Sequence, residues 1–141
     1  MLRSILAVAA GFLVTVLLAV GSDYLLMAAM PGAFSPDGRV ERTSLLLFAL
    51  AYGALFAVAG AYVTGRLAPG RPVTHALILG AIALALSIVV SASRWDNAPA
   101  WYNLAALAVI LPAAWAGGTL AMRHRPGDAT PPRAGGYPGA A

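Results

Sequence analysis

The chain has 141 residues, of which 60% are hydrophobic and 10% charged, and its formal net charge is +4, with nine arginines and no lysine. Soluble domains carry about 25% charged residues, so a mean hydropathy of +0.80 excludes a water-soluble globular fold and points to an all-α integral membrane protein. The absence of cysteine excludes disulfides, thiolate metal sites, iron–sulfur clusters and cysteine nucleophiles.

A hydrocarbon core about 30 Å thick takes roughly 20 apolar residues in a helix. The first such run covers 4–30 and follows Arg3. A basic residue before an apolar run also suits a signal peptide, with the small residues Ala19, Val20 and Gly21 as a cleavage region. The run continues to Met30, well beyond the roughly 7 to 15 residues of a signal core, which favours a retained helix. Pro31, Gly32, Pro36 and Gly38 then mark a loop. A second run covers 44–67 and stops at Pro69, Gly70, Arg71 and Pro72; a third covers 73–92 and stops at Asp96, Asn97 and Pro99. The fourth covers 98–122 and contains Pro112, which removes one backbone hydrogen bond and is expected to bend it. Residues 123–141 carry Pro126, Pro131, Pro132 and Pro138 with little to bury, and are expected to form a disordered tail. The predicted architecture is a four-helix transmembrane bundle over 1–122 with short loops.

Arginine placement orients the bundle. Arg3, Arg66, Arg71, Arg123, Arg125 and Arg133 fall on one side, against Arg39, Arg42 and Arg94 on the other. Six against three predicts an inner-membrane protein with both termini cytoplasmic. The arginines flank apolar runs and build no basic face, so nucleic acid is not an expected partner. Trp95, Trp101 and Tyr102 mark the outer interface.

Helices in lipid associate where small residues let backbones approach. The second run carries Gly53, Ala57, Ala61 and Gly65 at four-residue spacing; the first carries Ala7, Gly11, Thr15 and Ala19, and the fourth Ala113, Ala114, Gly117 and Gly118. These rows predict tight helix packing, within the chain or against a second copy or another membrane protein.

Asp23 is the one acid within a predicted span, seven residues before the end of the first run, hence about 10 Å below the outer boundary at 1.5 Å per residue. Acids at such depth are costly and face the bundle. Counting inward along the other runs puts Tyr52, Ser87 and Ser91 at comparable or shallower depth, with Arg94 and Asn103 above them. A polar site of Asp23, Tyr52, Ser87 and Arg94 is therefore predicted, either as a buried acid that fixes helix register or as a proton or cation site. His75 and His124 have no second imidazole at matching depth, and no serine, histidine and acid gather on one side. Neither a metal or other cofactor nor a catalytic constellation is expected.

The stretch from Gly60 to Gly80, with Gly21, Ser22 and Asp23, the run Pro99 to Tyr102, and Gly117 with Gly118, resembles a group of uncharacterised small four-helix membrane proteins of bacteria. The resemblance covers most of the chain apart from the outer loop and the tail, and implies the same architecture without an activity. Members of that group often carry an arginine directly after the tyrosine of the second helix, where this chain has Gly53. Asp23 thus lacks that partner, and is expected either to be protonated or to use Arg94 instead. Taken together, the sequence favours a non-enzymatic accessory or structural subunit that works through helix packing. The alternative is a small oligomeric transporter or channel subunit that uses Asp23.

Overall fold

The computed structural model describes residues 2–29 and 42–124. They form α1 (Leu2–Ala29), α2 (Thr43–Leu67), α3 (Pro72–Ser93), a single 3-10 turn at Trp95–Asn97, and α4 (Ala100–Arg123). All four helices are long and apolar enough to cross a membrane; the shortest, α3, has 22 residues and is about 33 Å long at 1.5 Å per residue. The expected loop at 31–41, with Asp37, Arg39 and Glu41, and the expected tail from Arg125 onward lie outside the described residues.

Proline and local hydrogen bonds set the helix ends. Ala68 takes extended backbone, φ −62° and ψ 134°, ahead of Pro69, as a residue before proline prefers. Its N–H still closes on the Thr64 carbonyl at 2.9 Å. Pro72 opens α3 at its first turn, where the missing N–H costs nothing. Between them Arg71 sits at φ 41°, and it is the one non-glycine residue with positive φ among those described. The expected start of α4 at 98 shifts to Ala100, because Ala98 and Pro99 are extended. The helix then continues through Pro112 to Arg123 without interruption.

The contacts give each helix its direction. Gly11 of α1 backs onto Gly60 and Thr64 of α2, whereas Asp23 meets Tyr52, so α1 and α2 are antiparallel. Gly117 of α4 abuts Val58 and Ala61, and Ala121 abuts Gly65, so α4 runs parallel to α2. Gly80 against Ala114, with Gly118 against Ala76 and Val73, makes α3 antiparallel to α4. Leu2 and His124 consequently lie at the same end of the bundle. The most extensive interface is α2 with α4, followed by α3 with α4 and α1 with α2; α1 meets α3 least and has no appreciable interface with α4. Around the bundle the order is thus α1, α2, α4, α3, and the short connection from Ala68 to Arg71 crosses its diagonal.

The core is made mostly of small residues, joined by Leu45, Leu46 and Leu79. Ala7, Ala61, Ala76, Ala113, Ala114 and Ala121 are buried, while Leu13, Leu17, Leu25, Leu55, Val89 and Trp115 point outward. Helices that are apolar on every face and meet through alanine and glycine suit a lipid surround, where close approach of backbones does the work that burial of large side chains does in water. At Gly11 an added Cβ would fall 1.9 Å from Thr64 Oγ1 and 2.4 Å from the Gly60 carbonyl oxygen, and at Gly60 it would fall 1.9 Å from Thr15 Oγ1 and 2.6 Å from the Gly11 carbonyl oxygen. Two Gly-x-x-x-Thr segments, Gly11 to Thr15 and Gly60 to Thr64, thus interlock reciprocally. Thr15 Oγ1 donates to the Gly11 carbonyl at 3.0 Å. Thr64 Oγ1, fully buried, has no hydrogen-bond partner and faces the Gly11 Cα–H, a weak donor.

Within the described residues, the expected row on α2 makes its close contacts toward its Gly65 end. A Cβ at Gly53 would meet nothing within 4 Å, and Ala57 lines a small cavity of about 50 Å³ with Ala61, Gly80 and Ala114. The close contacts fall instead on Gly60, Ala61, Thr64 and Gly65. At 3.6 residues per turn a four-residue row drifts about 40° per step, so Gly53 has rotated away from the face that Gly65 presents.

Candidate functional site

The end of the bundle opposite Leu2 and His124 is less tightly closed. There α1, α2, α3, α4 and the 3-10 turn enclose a cavity of about 420 Å³ whose polar wall includes Asp23, Tyr52, Ser91, Arg94, Tyr102 and Asn103. Its lining is more polar than that of the small cavity beside Ala57 and of the two cavities described below.

Asp23 is held from the neighbouring helix. Tyr52 Oη donates to Asp23 Oδ1 at 2.8 Å, and the Tyr52 ring sits between Phe48 and Phe56, with centroids 5.5 and 5.4 Å away. The three aromatics are spaced four apart on α2 and so share a face. Asp23 nonetheless stays exposed. The register-fixing reading asked for a buried acid; the structure has a bonded carboxylate that is open along the cavity. Beside it Ser22 returns its hydroxyl to the Leu18 and Ala19 carbonyls at 2.8 and 2.9 Å, so it has no donor to offer Asp23.

Arg94 is placed by its backbone. Its N–H closes α3 on the Val90 and Ser91 carbonyls, and its own carbonyl accepts from Asn97 N–H at 3.0 Å. Asn103, buried in the first turns of α4, donates through Nδ2 to the carbonyls of Trp95 at 3.1 Å and Ala98 at 3.4 Å. This bond ties the turn to α4 and fixes where Arg94 leaves the chain. The guanidinium itself makes no hydrogen bond or ion pair with another described residue. A carboxylate and a guanidinium therefore face one cavity without neutralising each other.

Of the residues predicted from sequence, Asp23, Tyr52 and Arg94 share this cavity, while Ser87 lines the adjoining one, about 340 Å³, with Thr15, Ala19 and Leu107. Ser91 borders both. Asn103 serves as a positioning donor, and Tyr102, expected only in an aromatic belt, lines the site; its ring meets Trp101 edge-on at 6.0 Å. Phe48 and Phe56 were missed, although their four-residue spacing about Tyr52 is a signal present in the sequence, whereas the folding of Asn103 back onto the turn leaves no local signal.

The opposite end is tied shut. Arg66 donates to the His124 carbonyl, and Tyr62 meets the His124 ring edge-on at 6.0 Å. His75 Nδ1 bonds the Arg71 carbonyl at 3.1 Å, one turn back on its own helix. Among the described residues no three His, Cys, Asp or Glu side chains are grouped to hold a metal ion. Compared with protein-family models, curated proteins and solved structures, the chain matches none, so a functional reading rests on the geometry of this site.

Proposed function

We propose that the chain is a multi-pass integral membrane protein, oriented with both ends on the arginine-rich, cytoplasmic side, that works without catalysis by holding a membrane-borne molecule at the Asp23 cavity. The observation that carries this reading is a Tyr52-held carboxylate that shares one cavity wall with an Arg94 guanidinium bonded to no other described residue. Separated opposite charges beside a hydrocarbon phase are costly unless something polar meets them. The cavity volume, about 420 Å³, lies within the range of about 300 to 1,000 Å³ of small-molecule sites. Such a protein is a carrier or a binding subunit.

The packing-subunit reading keeps one specific observation. The glycines buried at helix crossings, Gly11, Gly60, Gly65, Gly80, Gly117 and Gly118, meet neighbours within the chain, whereas Gly21 and Gly53 face open space. A second copy or another membrane protein that approaches closely would meet the chain at these two positions, and Gly53→Leu or Gly21→Leu would then dissociate the complex without unfolding the chain.

The test is the lipid-soluble extract of the protein purified in mild detergent. One molecular species at about one copy per chain in the wild type, lost from the Asp23→Asn, Arg94→Gln double variant and kept by the remote Thr119→Val, supports the cavity reading. An extract that is the same for all three defeats it. Helical circular dichroism and elution volume check that each variant is folded.

A further inference from the structure

Two further cavities follow the Asp23 cavity along the bundle. Its wall residues Val90, Ser91 and Ala106 also border the cavity of about 340 Å³ between α1, α3 and α4. That space shares Phe12 and Leu86 with a third cavity, about 490 Å³, between α1 and α3. The three lie end to end, sharing wall residues, and together outline a groove along α1 and α3, the least extensive of the helix interfaces, where α1 has no appreciable interface with α4. Away from Asp23 the lining turns apolar, with Val8, Phe12, Ile78 and Ile82, until Ser4 and His75 at the far end. On α3 the groove runs from Ser91 to His75, about 24 Å at 1.5 Å per residue, whereas one leaflet of a bilayer has about 15 Å of hydrocarbon. An extended acyl chain fits inside it.

The polar end limits what the head of such a molecule can be. An acid alone would suit a cation and an arginine alone a phosphate, but here both face one cavity and neither neutralises the other. Asp23 already accepts one hydrogen bond from Tyr52, and its remaining lone pairs call for N–H donors. A quaternary ammonium has none, and an anionic glycerol head would leave the carboxylate without a counter-charge. Arg94, exposed at the helix end, suits a phosphate oxygen through its guanidinium fork.

Resting on the reading of this cavity as a binding site, we infer that its occupant is a zwitterionic phospholipid with a primary ammonium, of the phosphatidylethanolamine type. The ammonium meets Asp23, the phosphate meets Arg94, and one acyl chain lies in the groove between α1 and α3.

The experiment is competition between phosphatidylethanolamine, phosphatidylcholine, phosphatidylglycerol and diacylglycerol of matched chains on the delipidated protein, read as one-to-one adducts by native mass spectrometry. The ethanolamine lipid is expected to exceed each of the others by about tenfold, the ratio that 1.4 kcal/mol supports. Asp23→Asn is expected to abolish its preference over the glycerol lipid, Asp23→Glu to restore it, and Arg94→Gln to lower all three phospholipids toward diacylglycerol. Equal retention of ethanolamine and choline lipids, or best retention of the glycerol lipid, overturns this inference. If that retention still falls in the Asp23 and Arg94 variants, the cavity reading stands without it. Adducts that respond to neither residue overturn both.

Discussion

Tyr52 holds Asp23 by a single hydrogen bond from a ring that Phe48 and Phe56 keep in place, so Tyr52→Phe removes the bond and leaves the packing. Polar contacts between helices in lipid contribute about 0.6 kcal/mol on average and up to about 1.7. A double-mutant cycle of Tyr52→Phe with Asp23→Ala, followed by unfolding in mixed micelles, is expected to return a coupling in that range; a coupling of zero would mean that the bond does not form in lipid. Arg71, at φ 41°, stores strain of another kind. A side chain in left-handed backbone costs about 1 to 2 kcal/mol, while glycine loses about 0.5 to 1 kcal/mol of extra chain entropy on folding. Arg71→Gly is therefore expected to stabilise the fold by up to about 1 kcal/mol and Arg71→Ala to leave it unchanged, both measured by the same unfolding assay.

At the scale of the helices, the glycines separate into two classes that sequence spacing treats alike. Gly11→Ala or Gly60→Ala forces a methyl onto a hydroxyl and a carbonyl of the facing helix, and is expected to cost about 1 to 3 kcal/mol or to detach α1. Gly53→Ala meets nothing and is expected to be neutral or slightly stabilising through helix propensity. Equal losses at all three positions would contradict this division. Helix positions were legible because a long apolar run bounded by proline has few alternatives, and the boundaries moved by two residues at most. Asp23 was legible because an acid stands out in such a run. Gly53 and Gly65 take different parts because a four-residue row winds around its helix, and only the facing helix decides which part of the row is used within the chain. The 3-10 turn at Trp95–Asn97 and the role of Asn103 depend on hydrogen bonds across five to eight residues, a range that local propensity does not encode.

Across the whole molecule, small residues close one end and polar residues line the other. Gly65, Gly117 and Gly118 pack against their neighbours near the end tied by Arg66 and His124, while the cavity lined by Asp23 and Arg94 opens at the other. The groove was not legible in sequence, since it exists because α1 packs on α2 and only weakly on α3, a consequence of the Gly11–Gly60 crossing. Reporter fusions after residue 124 and in the 31–41 segment are expected to report opposite sides, with the first cytoplasmic, as the six-to-three arginine asymmetry requires. The most direct measurement is photo-crosslinking of a phospholipid with a diazirine on its acyl chain to the protein in vesicles, mapped by peptide mass spectrometry. Labels concentrated on Phe12, Leu79, Ile82 and Leu86, which line the groove, are the predicted result. Labels spread evenly over outward residues such as Leu55, Val89 and Trp115 would contradict the account.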